Sequence, residues 1–370
     1  MKIGIIGCAL VGFADEVKLR SDELVFKAAK AALDQAGLTR EDLDVSVITS
    51  LDAYDGITIS NGLMAPGAGG YEKDATRIQG GGVGAIMSAC ASILSKSAQI
   101  AIVAGADATM FDDPIVSNAA YDAFFRRPLG MFNQAGYGLF AASLLRDRGI
   151  TEKDFAALAA RNYRAAAQNP NAHRKKSYSV DEILESPMAF WPLRQLELAP
   201  VSKGGAALVL AVEEKAKELS REPVWVTGIG GGSNPYYGAW SDLVDLKGLK
   251  HACRKAYSMA GIKDPAAEID AAEIHNPFAP FEIPVCEALG LCQKGQALDL
   301  LLGDKKLVNT SGGTLGTNPP ACGGYFRTIQ AVECLQKNGR AGRAVVQDSD
   351  INLGFFGETY HVLVLEKAGV

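Results

Sequence analysis

The 370-residue chain has no long apolar run, no paired cysteine spacing and no excess of positive charge. No segment reaches the roughly 20 uninterrupted apolar residues that a membrane span requires. Met1-Lys2-Ile3-Gly4 opens directly into a strand-like run without a charged and then apolar leader, so the sequence predicts a water-soluble, cytoplasmic protein. A formal net charge of -5 supplies no field for a polyanion, and the basic clusters Arg126-Arg127 and His173-Arg174-Lys175-Lys176 are too short for a nucleic-acid stripe. They read as solvated loops, or as contacts to a phosphate-bearing ligand or a partner. The seven cysteines, at 8, 90, 253, 286, 292, 322 and 334, are odd in number and form no C-x-x-C pair. They read as reduced thiols, with neither a disulfide framework nor a zinc site.

What is present is a chain that repeats itself. At 48% apolar it is long enough for two units, since single cores stop growing at roughly 250 to 300 residues. The first half opens with the strand Lys2-Ile3-Gly4-Ile5-Ile6-Gly7, followed by a helical pattern within Ala29 to Thr49 that Gly37 stops before a new strand. The second half opens with Val224-Trp225-Val226-Thr227-Gly228-Ile229-Gly230, and its pattern from Cys253 to His275 repeats the Ala-Gly helix end at Gly261. More loosely, the stretch from Gly80 matches the one from Ser311, each a glycine turn entering an apolar helix. This spacing predicts a duplicated domain, residues 1–215 and 222–370, and not a solenoid. Alternating strand and helix patterns predict α/β layers with mostly parallel strands, and shared facing helices would give five layers, α-β-α-β-α. From about 110 to 200 the sequence turns irregular, with Gln168-Asn169-Pro170-Asn171 and Ser186-Pro187, and reads as an inserted loop region suited to substrate contacts.

The glycines of Gly80-Gly81-Gly82-Val83-Gly84 are not a dinucleotide fingerprint. That motif follows the first strand of its unit, whereas these lie deep inside the duplicated half. Together with Ala104-Gly105-Ala106-Asp107, Asn169-Pro170-Asn171-Ala172, WPLRQLE at Trp191 to Glu197 and APVSKGGAALVL at Ala199 to Leu210, they make the chain resemble the thiolase superfamily. EIHNPFAPFEIPVCEALGLC from Glu273 and VNTSGGTLGTNPPACGG from Val308 extend the resemblance over nearly the whole chain. The branch it is most similar to holds the sterol-carrier-protein thiolases and the lipid-transfer-protein aldolases. It implies a duplicated, five-layered thiolase fold and coenzyme A as substrate, with no covalently bound cofactor.

The resemblance also assigns the site, and here the chain departs from the pattern. A thiolase places its nucleophilic cysteine at the start of the first glycine helix, where helix N–H groups favour a thiolate. Gly82 falls at that position, keeping donors for a carbonyl beside Gly81 and leaving room for a larger acyl group. Cys90, in Cys90-Ala91-Ser92, lies too near Gly105 to start the helix and reads as a small mid-helix core residue. His275 matches a position that helps bind the thioester oxygen. Asn318 replaces the histidine of the family's GHP motif, and an amide can donate to an oxyanion but cannot act as a base. Gly313, Asn352 and Gly354 complete the expected substrate contacts, Asn352 standing where a second cysteine is usual. Cys322, Tyr325 and Tyr360 read as packing, and Lys203 replaces the usual Asp as a surface change or a contact to an acidic substrate.

Three functions follow as expectations. The leading one is a reduced thiolase that cleaves a 3-oxoacyl-CoA by acyl transfer to CoA. A retro-aldol lyase on a CoA thioester needs no covalent cysteine, and a non-catalytic subunit would explain the missing nucleophile. The resemblance implies a homodimer, working with a small zinc-ribbon and OB-fold protein as in two-component thiolases.

Overall fold

The computed structural model describes residues 2–57, 59–108, 113–119, 121, 123–125, 127–234, 244–303, 306–339, 341–350 and 359–369. The first half contributes β1 (Ile3–Ala14), β2 (Val45–Ser50), β3 (Asp74–Gln79), β4 (Ile100–Asp107) and β5 (Lys203–Val212). The second contributes β6 (Val224–Ser233), β7 (Ala271–Ile274), β8 (Leu307–Val308), β9 (Arg343–Asp350) and β10 (Thr359–Glu366). They form one sheet in the order β8-β7-β9-β10-β6-β1-β5-β4-β2-β3. Each half therefore repeats the same internal order, third-second-fourth-fifth-first. The halves join through three residue pairs between β1 and β6, Ile3 with Val226, Gly4 with Trp225 and Ile5 with Val224.

Side chains sort by the two-residue period of a strand. On β4, Ala101 and Val103 enter a central core while Ile102 and Ala104 face outward to a second one. On β10, Leu363 and Leu365 enter the same central core, whereas Val362 and Val364 face a third. Burial on both faces explains why these strands read as continuous apolar runs.

Helices fill the layers. α1 (Ser21–Ala36) covers the outer face of the first half and ends at Gly37, in the left-handed region at φ 68°. α2 (Val83–Leu94) lies in the central layer. α3 (Asn133–Arg148), α4 (Glu152–Gln168) and α5 (Lys247–Ala260), the last ending at Gly261, cover the outer face of the second half. α6 (Gly323–Lys337) joins α2 in the centre, where Ile86, Cys90, Tyr325 and Ile329 pack with residues of both halves. The result is the α-β-α-β-α arrangement. The outer helices sit directly on glycines of the first strand of each half: a side chain at Gly7 would strike the Ala32 carbonyl, and one at Gly230 the Ala252 carbonyl.

Two expectations need correction. The strands are mixed and not mostly parallel: β2 with β3 and β4, and β7 with β8 and β9, are parallel, but β1, β5, β6 and β10 run antiparallel to their neighbours. A parallel pair needs a crossover of a dozen or more residues. The connection from β9 to β10 is shorter, so β10 reverses. The region read as an irregular loop is also largely helical, because α3 and α4 lie inside it. Thr151 and Asp154 form a capping box at the start of α4, a signal present in the sequence as Thr-Glu-Lys-Asp.

Candidate active site

The two central helices begin against each other. Gly82 is the N-cap of α2 and Cys322 that of α6, and the Gly324 N–H donates to the Gly81 carbonyl at 2.8 Å. The partial positive ends of both helices therefore converge, an arrangement that calls for negative charge. Each end receives a buried carboxylate. Asp348 of β9 accepts the Val83 N–H at 3.3 Å and pairs with the Arg327 guanidinium, both side chains being almost wholly enclosed. Asp107, at the end of β4, accepts the Ala321 N–H at 2.9 Å, the Cys322 N–H at 3.1 Å and the Cys322 thiol at 2.9 Å. Since β4 and β9 are the fourth strands of their halves, each half caps the central helix of the other.

This geometry changes the expectation for Gly81 and Gly82. Gly82 adopts φ 86°, where a side chain is strained, and a Cβ there would lie 2.9 Å from the Tyr325 nitrogen and 3.2 Å from its ring. A Cβ at Gly81 would lie 2.7 Å from the Asp348 carboxylate. The expected room for a larger acyl group is thus filled, and the Val83 N–H serves Asp348. Cys90 lies within α2 with no exposed surface, and burial pushes its thiol up to about 12. Cys322 is equally buried, and burial together with the Asp107 carboxylate raises its thiol well above the ordinary value. Neither is poised as a thiolate.

His275 follows β7 and is 4% exposed. Its Nδ1 lies 2.7 Å from Ser349 Oγ, next to Asp348, and its main-chain N–H donates to Gln347 Oε1 at 2.9 Å. Burial, with a lesser contribution from Arg327, holds the imidazole well below its ordinary value, so it stands neutral at neutral pH. Asn276 then locks the next loop: its N–H donates to Thr314 Oγ1 at 3.0 Å and its Oδ1 accepts the Thr314 N–H at 2.6 Å. Asn276 and Asn309 both donate to Glu282 Oε1, at 3.0 and 2.7 Å, beside the Arg161 pair. Gly313 faces this buried network, since a Cβ there would lie 2.6 Å from Asn276 Oδ1. It is buried and supports the loop from inside.

Asn318 closes that loop half-buried, and its carboxamide bonds no described residue. Both of its main-chain polar groups are bonded to Ser202. Asn352 and Gly354 lie outside the described residues. Tyr325 and Tyr360 are fully buried, and Lys203 pairs with Glu16 at 2.9 Å. The residues missed from sequence are Asp348, Arg327 and His173. The first was signalled as a charge inside an apolar strand pattern, and the last was absorbed into a basic cluster. No described helix is long and apolar enough to cross a membrane, and no described cluster of His, Cys, Asp and Glu could hold a metal ion.

Residues 232–366 match the family model described as thiolase C-terminal domain-like. The chain is 27% identical to an acetyl-CoA acetyltransferase of Methanothermobacter thermautotrophicus over 99% of both chains. It is 26% identical to a steroid side-chain-cleaving aldolase of Thermomonospora curvata over 80% of both chains. The chain is thus similar to thiolase-superfamily proteins along its whole length, and its C-terminal part matches a thiolase domain model. It is also 32% identical to the sterol carrier protein 2 of Gallus gallus, over 54% of this chain and 38% of that one. The solved Ltp2-ChsH2(DUF35) aldolase shares the fold, with a TM-score of 0.83 and 24% identity over 99% of this chain and 97% of that one. Of these relatives, one is named as an acyl-transferring enzyme and two as aldolases.

Proposed function

We propose that this thiolase-like chain cleaves a carbon–carbon bond of a 3-hydroxyacyl-CoA by a retro-aldol route, without a covalent acyl-enzyme. The observation that carries this is the closed start of α2, where Gly82 meets Tyr325, Gly81 meets Asp348, and the Cys90 and Cys322 thiols are fully buried. It reverses the order expected from sequence. In the proposed step His275 Nε2, which bonds no described residue, takes the proton of the 3-hydroxyl group. The bond between C2 and C3 breaks, C3 leaves as a ketone or aldehyde, and the electron pair passes into the thioester enolate. The Asn318 carboxamide donates to the enolate oxygen, and His275 returns its proton to C2, so atoms balance without water or free CoA. A neutral resting imidazole suits this order of proton transfers.

Acyl transfer from a 3-oxoacyl-CoA to CoA is the second reading, supported by the end-to-end similarity to an acetyl-CoA acetyltransferase. For assembly we favour a homodimer, supported by the open edge at β3, which pairs only with β2 among the described residues. A small zinc-ribbon and OB-fold partner is supported by an aldolase relative named with two components.

The test incubates the protein, alone and with such a partner, with a panel of 3-hydroxyacyl-CoAs without free CoA, detecting released carbonyl compound by mass spectrometry. Carbonyl release is expected, with His275→Ala lowering kcat by about 10² to 10⁴. Loss of 3-oxoacyl-CoA that requires added CoA, with no carbonyl release, would establish acyl transfer instead. Inactivity on both panels would point to a non-catalytic subunit.

A further inference from the structure

We propose that His173, acting through Ser202, is the positioning residue that aims the Asn318 carboxamide at the substrate; this rests on the reading above that Asn318 faces the thioester. The Asn318 N–H donates to Ser202 Oγ at 2.9 Å and its carbonyl accepts the Ser202 N–H at 2.9 Å. Ser202 is fully buried, so its hydroxyl proton needs a partner, and His173 Nδ1 lies 2.9 Å away. The other ring nitrogen, Nε2, is 3.1 Å from Asp15, whose side chain is solvent-exposed. In the tautomer with the ring proton on Nε2, Ser202 donates to Nδ1 and Nε2–H donates to Asp15. The chain then runs in one direction, from Asn318 through Ser202 and His173 to Asp15.

Two further bonds bind the same segments. The His173 N–H donates to Thr317 Oγ1 at 3.0 Å, and the Arg174 N–H donates to the Gly316 carbonyl at 2.9 Å. Residues 316–318 are therefore held at three successive positions by 173, 174 and 202. Among the described residues, the one polar group of Asn318 left without a partner is the carboxamide. An enclosed imidazole that orients a hydroxyl while a carboxylate orients the imidazole follows the same logic as a catalytic triad, applied to geometry and not to nucleophilic attack. His173 touches neither substrate nor reacting atoms; its effect passes through Ser202.

The experiment compares His173→Ala and His173→Asn on the 3-hydroxyacyl-CoA panel. The alanine variant is expected to lower kcat about tenfold to a hundredfold with KM within about threefold, the size of effect that a misplaced donor produces. Asparagine sets an amide oxygen near the Nδ1 position, able to accept the Ser202 proton, and is expected to bring kcat to within about threefold of wild type. An alanine variant whose kcat falls only as its folded fraction falls, or an asparagine variant no better than alanine, overturns the proposal. If wild type converts no thioester, the functional reading has failed, and nuclear magnetic resonance of the ring nitrogens decides. The chain has 4 histidines, so His173→Asn assigns the His173 signals directly. Shifts of these signals on adding saturating acetyl-CoA and on Ser202→Ala substitution support the relay. Signals unmoved by both overturn it.

Discussion

The starts of α2 and α6 are built alike and filled differently. Both helices lie in the central layer, both begin beside the other, and both present their positive ends to a carboxylate from the opposite half. At α6 the N-cap carries a thiol, yet that thiol donates to Asp107 and is held protonated by burial and by that negative charge. At α2 the N-cap carries no side chain; the Tyr325 ring closes over it and the Asp348 carboxylate over the preceding Gly81. A helix N-terminus is thus not by itself a nucleophile site. What decides is whether the charge already present there is anionic, because a neighbouring carboxylate disfavours the thiolate that the helix end would favour.

Removing the carboxylate from one side is the strongest way to break this symmetry. Asp348→Asn leaves the Arg327 guanidinium, with only 3% of its side chain exposed, without its ion-pair partner. The expected loss is about 3 to 5 kcal/mol, read from urea midpoints at constant slope. Full stability in this variant would mean that the ion pair does not neutralise the α2 start.

Asp107 differs from Asp348 in having no cationic partner among the described residues, and this difference is expected to appear as pH dependence. Burial, opposed by the Cys322 thiol and by main-chain N–H groups, raises its carboxyl from 3.8 to about 6. The folded state therefore binds this proton more tightly than the unfolded chain does. Its contribution to stability is fully present below about pH 4 and is lost as pH rises through about 6. At 1.36 kcal/mol per unit the swing is about 3 kcal/mol. Asp107→Asn, which mimics the protonated form, is expected to flatten the stability curve across that window. Asp55, Glu197 and Glu273, each pushed up to about 7 mainly by burial, leave a residual slope of the same sign. An unchanged slope in the variant would show that Asp107 is not protonated preferentially in the folded state.

Local signals carried much of the fold into the sequence. Gly37 and Gly261 end their helices in the left-handed region as read, and Cys90 sits mid-helix in the core as its distance from Gly105 implied. The duplicated strand order follows from the matching strand and helix patterns. The closure of the α2 start was not legible, because Tyr325 and Asp348 lie more than 240 residues downstream of Gly82 and no periodicity pairs them with it. The loosest repeat was also misplaced: α6 begins at Gly323, and the earlier Gly312-Gly313 turn enters only the short helix Gly313–Gly316. His173 was hidden by composition, since a histidine followed by Arg174-Lys175-Lys176 reads as a solvated cluster. Its enclosed ring became visible only when 173, 202 and 318 met.

The smallest contrast is at the two N-caps themselves. Gly82→Ala forces a side chain into φ 86° against Tyr325, with an expected cost of about 1 to 3 kcal/mol. Cys322→Ala removes a weak donor while Asp107 keeps the Ala321 and Cys322 main-chain N–H groups, so about 1 kcal/mol is expected. Thermal melting of both variants checks the order. If Cys322→Ala were the costlier change, the thiol, and not the backbone amides, would be the main partner of Asp107. The two helix starts would then differ in how their carboxylates are held as well as in what fills the cap.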